Sequence, residues 1–459
     1  MSLSITVSPA DHRARGLVAS RAGRSSVLVS LLAWGLCVPS AARAQIDEFE
    51  KDPIRYSETK PDNIVSRLAD RIAAKQTRLQ HDGVNGYLAD FLRSLDVPVS
   101  SQTLVFSKTS LQRHRISPAT PRALYFNDEV YVGICQGGEV LEVSVADPHL
   151  GTVFYAVDQD PETGGTPQRQ TDNCLICHGS SMTQGVPGHM IRSVFVDSQG
   201  FPILASGTFR IDHTSAIEKR WGGWYVTGTH GDQSHLGNLV IPGKRVPQPL
   251  DNSEGQNVTN LATRVRLEDY LSPHSDLIAL MVLEHQAEGH NLLTRASFQT
   301  RSAVHYQDSL NRELGERADH EWPSTASRIA AAGEPLVRYI LMSGEVRLTA
   351  PLKGTSTFAA EFAARGPRDG RGRSLRELDL ETRMFRYPCS YLVHSPSFDA
   401  LPERMMEYVA RRLDEVLSGK DESKEFAHLS VAYRRDIREI LVDTKPDLAL
   451  RWSKVTAGR

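Results

Sequence analysis

Apolar residues recur along this chain with two different periods, and the change of period divides it. After a polar leader containing Pro53 and Pro61, Ile64, Leu68 and Ile72 stand four apart. That spacing predicts a helix with one apolar stripe, capped at Asp62. A second short helix is expected over 87–95, ending before Pro98. From 104 to 157 the pattern turns to short runs of Val, Ile, Tyr and Phe, punctuated by Asn127-Asp128, Gly137-Gly138 and Pro148. This is the mark of a strand meander. Residues 193–196 and 203–209 flank Ser198-Gln199-Gly200 and predict a further hairpin. The stretch 241–260, with Pro242, Pro247 and Pro249, reads as a loop or linker.

Beyond it the period becomes helical. Residues 276–298 hold strong helix formers interrupted only by Gly289, and further helices are expected over 325–332, 334–342, 402–417 and 431–442. The Gly-, Arg- and Ala-rich stretch 353–373 reads as a flexible excursion. No internal repeat is visible. The expected fold class is α+β, with a β-rich region over 45–245 and a mainly helical region over 262–459.

The first 44 residues follow a different logic. Arg13, Arg15, Arg21 and Arg24 precede an apolar stretch from Val27 to Val38, which leads to Ala42-Arg43-Ala44. This is the pattern of a signal peptide cleaved after Ala44, with an apolar stretch too short for a comfortable membrane span. The expected location is the periplasm, with no stable membrane span after cleavage. The formal charge of −2 becomes about −6 once five arginines and one aspartate leave with the leader. Neither value gives the basic footprint that nucleic-acid binding requires. Export also exposes the four remaining cysteines, Cys135, Cys174, Cys177 and Cys389, to an oxidising compartment, so each needs an assignment.

Two of them stand in Cys174-Leu175-Ile176-Cys177-His178, the attachment pattern of a c-type haem. One helical turn between the thiols places both sulfurs beneath one porphyrin edge, and the adjacent imidazole is directed towards the iron. A thioredoxin-like dithiol would need a βαβ context, and a zinc site would need a second ligand pair. Neither is visible. Cys174, Cys177 and His178 are therefore the expected cofactor residues, with His178 the proximal iron ligand and one covalent haem per chain.

The stretch Arg169-Gln-Thr-Asp-Asn-Cys174-Leu-Ile-Cys177-His178 resembles the haem site of bacterial cytochrome c domain proteins. The runs Arg122-Ala-Leu-Tyr-Phe-Asn-Asp128, Trp221-Gly-Gly-Trp224-Tyr-Val-Thr227-Gly-Thr-His230 and Leu283-Glu-His-Gln286 narrow the resemblance to a group of large exported cytochromes with a single such motif. The resemblance implies haem binding and electron transfer with a periplasmic redox partner. It brings no substrate and no distal ligand. A motif in mid-chain departs from the small soluble cytochromes c, so their standard fold is not expected here.

A haem that only carries electrons usually has a second axial ligand, whereas a catalytic haem keeps that position open. The distal candidates are His230, which Gly231 frees to present its ring; His213, which Asp212 could orient; and Met190, which could loop over through Gly185, Pro187 and Gly188. Glu284, His285 and His290 read as polar groups on a helix surface, because histidines five apart do not share a helical face. Asp147, Asp158 and Asp160 read as turn residues. Trp221 and Trp224 either cover the haem or pack in the core, and Arg169, Arg192 and Arg210 are candidate partners for haem propionates. For Cys135 and Cys389, left over by the motif, a disulfide is one expectation and two buried, unreactive hydrophobes the alternative. Three functions follow: an electron carrier; a haem-dependent enzyme such as a peroxidase or a dehydrogenase of a small compound; or a haem-based gas sensor.

Overall fold

The computed structural model describes residues 48–457, so the leader assigned to residues 1–44 lies outside the described residues. The fold mixes helices with a six-stranded antiparallel sheet in which every strand pairs with its neighbour in sequence. The strands are β1 (Thr103–Val105), β2 (Arg122–Phe126), β3 (Val130–Ile134), β4 (Val140–Asp147), β5 (Gly151–Asp158) and β6 (Pro167–Gln170). Register follows from period-two side-chain alternation. One face carries Ala123, Tyr125, Val130, Val132, Leu141, Val143, Val145, Val153 and Val157, all buried in one hydrophobic core. Val65, Leu68, Leu88, Phe91 and Leu92, from helices Ile64–Ala73 and Leu88–Ser94, join that core.

The opposite face is uneven. Phe126, Tyr131, Thr152 and Phe154 are buried, whereas Arg122, Leu124, Glu142, Ser144 and Ala156 are only half-buried. The Arg122 side chain crosses β3 above Gly133 to meet Glu142 at 2.7 Å. A Cβ at position 133 would lie 2.1 Å from the guanidinium, so only glycine admits this crossing.

A second core gathers around the helix Leu277–Leu314. This helix is 38 residues long and continues well past the expected end at 298, because Thr300, Ala303, Gln307 and Asn311 keep a buried stripe going. Asp276 caps it and also accepts from the backbone of Thr355 and Ser356, fastening a distant segment to the helix start. The two helices expected over 325–342 are one, Pro323–Ile340, which runs through Pro335. The stretch 353–373 is not a loose excursion: its helix Phe358–Ala364 buries Phe358 and Phe362, one turn apart, in this second core. At the first helix Asn63, not Asp62, is the cap, in a reciprocal pair with Ser66.

The expected disulfide is absent. Cys135 and Cys389 are both free and buried. Cys389 packs in the second core, while Cys135 lies beyond the end of β3, where burial pushes its thiol up to about 11. Each behaves as a small buried hydrophobe, which removes the need for a bridge. Among the described residues no helix is long and apolar enough to cross a membrane.

Candidate functional site

The cysteine motif forms its own short helix, Asn173–His178, directly after β6. Leu175 is its buried anchor, Cys174 is half-buried, and Ile176 and Cys177 are exposed. Both thiols are free. Burial pushes the Cys174 thiol up to about 11.

His178 is held from two sides by one residue. The Gly188 N–H donates to the His178 carbonyl at 2.8 Å, and the Gly188 carbonyl lies 2.9 Å from His178 Nδ1. A carbonyl only accepts, so Nδ1 carries the proton and Nε2 is left with its lone pair. Burial also lowers the pKa of the ring, which favours the neutral form that a metal ligand requires. Thr183 Oγ1 ties the loop together by bonding the carbonyls of His178 and Val186.

The ring of Phe154 lies 5.0 Å from that of His178, which places the motif against the uneven face of the sheet. The Arg122–Glu142 pair acts electrostatically on both Cys174 and His178. Beside the motif are therefore a half-open surface with Leu124, Ser144 and Ala156, one ion pair, two free thiols a helical turn apart, and a neutral imidazole with a free nitrogen. This donor set fits a covalently attached haem, which would be held by Cys174 and Cys177 with His178 as axial ligand.

Behind the motif the long helix presents buried polar groups where a polar surface was expected. Glu284, His285, Gln286, Glu288, His290 and Asn291 are all buried. Glu288 accepts from Gln184 at 2.6 Å and from Asn291 at 3.2 Å, and Arg210 stands 3.3 Å away. Asn291 clamps His189 by its backbone, accepting from the N–H and donating to the carbonyl, both at 2.8 Å. His189 rests on Tyr131, with ring centroids 4.0 Å apart, and its Nδ1 meets Thr152 Oγ1 at 3.1 Å. One turn earlier, Glu284 pairs with Arg220 and accepts from Trp221 Nε1. Burial raises the Glu284 carboxyl to about 7.

The other candidate residues are dispersed. His213 lies in the second core, with Nδ1 2.9 Å from that of His285 and its ring against Tyr339. His230 accepts at Nε2 from the Asn257 N–H at 3.0 Å and its ring faces His235. Neither makes a hydrogen bond or ring contact with the motif helix among the described residues. Met190 is half-buried and follows His189 directly. Trp221 and Trp224 belong to the second core. Arg169 is committed to the carbonyls of Tyr56 and Thr59 and Arg210 to Glu288, which leaves Arg192 as the flanking arginine whose charge reaches His178. Asp147 does serve a turn, accepting from His149 and Leu150, and also bonds Asn63.

His189, Gln184 and Asn291 were not singled out by sequence reasoning. A signal existed: the polar run 284–291 is flanked by apolar residues on every helical face, at 277–283 and 292–293, and such a run is buried rather than surface-facing. A groove of about 930 Å³ lies elsewhere, among helices Pro323–Ile340, Glu403–Leu417 and Pro446–Ala457, and no cysteine or histidine lines it. No protein-family model, curated protein or solved structure matches the chain.

Proposed function

We propose that this protein is an exported mono-haem c-type cytochrome that passes electrons to or from a periplasmic redox partner. The observation that carries the reading is the motif helix itself: two free thiols one turn apart, and a histidine whose Nδ1 is held by the Gly188 carbonyl so that Nε2 remains free. When bound, haem supplies a one-electron couple. The chain's own residues would hold it at Cys174, Cys177 and His178, with Gly188 orienting the His178 ring and Phe154 packed beside that ring. The resemblance to large exported cytochromes and the signal-peptide pattern support the same reading and its periplasmic location.

A second reading, a haem-dependent peroxidase, dehydrogenase or gas sensor, draws support from the distal candidates. His213 Nδ1 is bonded to His285 and His230 Nε2 to the Asn257 N–H, and neither ring contacts the motif helix among the described residues, which favours a haem without a second ligand from either residue. Export of the Cys174→Ser, Cys177→Ser double variant tests the main reading: it is expected to yield folded protein without covalent haem, and haem retained through denaturing electrophoresis would refute it. Optical spectra with carbon monoxide or peroxide then separate the readings. Inertness supports the carrier, and ligand binding supports the enzyme or sensor.

A further inference from the structure

The mounting of His178 does not end at Gly188. The next residue, His189, is gripped at both its N–H and its carbonyl by the Asn291 side chain, and Asn291 Nδ2 also donates to Glu288 Oε2. The other carboxylate oxygen, Oε1, accepts from Gln184, in the loop that closes the motif. Glu288 thus holds the loop that mounts the axial ring at both ends, by way of Gln184 on one side and Asn291 on the other. Position 188 has no room to spare: a Cβ there would lie 2.3 Å from Asn291 Oδ1.

Glu288 is 4 % exposed, yet one full counter-charge is close, Arg210 at 3.3 Å. Burial holds its carboxyl above the usual range. The groups facing it from other elements are Arg210 and Asp212, at and just after the end of the strand Thr208–Arg210, Gln184 from the motif loop, and Tyr339 from the helix Pro323–Ile340, while Arg295 of its own helix stands behind Gln184. Arg210 and Gln184 are partly exposed, so protons can reach Glu288 from solvent on that side. Glu284, one turn away, is paired with Arg220 and has no bond to the motif loop.

We propose that Glu288 is a positioning residue for the axial histidine and takes up a proton when the haem is reduced, tying electron uptake to proton uptake. The inference rests on the haem reading above. The step balances simply: with haem bound, an external one-electron donor would supply one electron, and the Glu288 carboxylate would take one proton from hydronium, forming its own O–H bond as the hydronium O–H bond breaks to leave water. The added negative charge at the haem favours the neutral acid, while the neutral acid grips Asn291 less strongly and relaxes the pull on the Gly188–His189 backbone.

The experiment is spectroelectrochemical titration of the purified holoprotein as a function of pH. Wild type is expected to show a potential that falls as pH rises, over a window above the ordinary carboxylate range. The slope approaches a tenfold change in the redox equilibrium per pH unit, about 59 mV for a one-electron couple. Glu288→Gln should keep its haem and lose the slope, and Glu288→Asp should restore one. Reduced-minus-oxidised infrared spectra of wild type provide a measurement independent of any variant: reduction should add a protonated-carboxyl band. A flat wild-type potential, a slope that survives Glu288→Gln, or no carboxyl band would overturn the proposal. Absence of attached haem, seen before any titration, would instead overturn the reading on which it rests.

Discussion

Replacing Arg220 by methionine isolates the energetics of the buried polar helix. Arg220 and Glu284 are 2 % and 1 % exposed, and the guanidinium also donates to the carbonyls of His213 and Ser215. Without it, Glu284 keeps a single donor, Trp221 Nε1, inside a hydrophobic core. Breaking a buried pair from one side leaves an uncompensated charge, at a cost of about 3–5 kcal/mol. The pH dependence has a definite sign. The Glu284 carboxyl titrates at about 7 in the folded chain and near 4.3 when unfolded, so the native state binds more protons between those values. Its contribution to stability is therefore fully present at acid pH and lost as pH rises towards 7. In Arg220→Met the folded value rises further, so the loss continues to higher pH. Urea unfolding followed by tryptophan fluorescence should show the gap between variant and wild type widening from acid to alkaline pH. Adding Glu284→Met should recover most of it. A gap that does not change with pH, or one below about 1 kcal/mol under alkaline conditions, would refute this account of the cluster.

Three further outcomes are expected. Gly188→Ala, whose Cβ would meet Asn291 Oδ1 at 2.3 Å and Thr183 at 2.9 Å, should destabilise by about 1–3 kcal/mol in urea and perturb the His178 ring resonances in NMR spectra. Asp276→Ala removes the cap of the long helix and its bonds to Thr355 and Ser356, so a loss of roughly 2–4 kcal/mol is expected in the same assay, beyond the usual cost of a missing cap. Thiol titration without reductant should find Cys135 and Cys389 unreactive in the folded protein and both reactive on unfolding, because they are free and buried; a pair that stays blocked until reductant is added would contradict the structure.

Local periodicity carried much of the architecture. The alternation from 104 to 157 is the sheet, and the helical run from 276 is the long helix, because each pattern buries one face or stripe. Where tertiary context decides, the pattern was silent or misleading. Phe358 and Phe362 turn a Gly- and Arg-rich stretch into a core helix, and Pro335 does not divide the helix around it. At the site, the motif was legible as a contiguous string, whereas its mounting was not: Gly188, 10 positions from His178, bonds it through its backbone, and Asn291, 113 positions away, acts on it only through the backbone of His189. The same blindness to burial made Glu284, His285 and His290 look like surface residues and made a pair of leftover cysteines look like a bridge.

The most direct test of the account is the mass and visible spectrum of the proteolytic peptide containing Cys174 and Cys177, taken from protein exported by a host equipped to attach haem and then denatured and extracted with acidified organic solvent. The peptide is expected to carry one haem still, through two thioether bonds. A colourless peptide with both cysteines unmodified would contradict it.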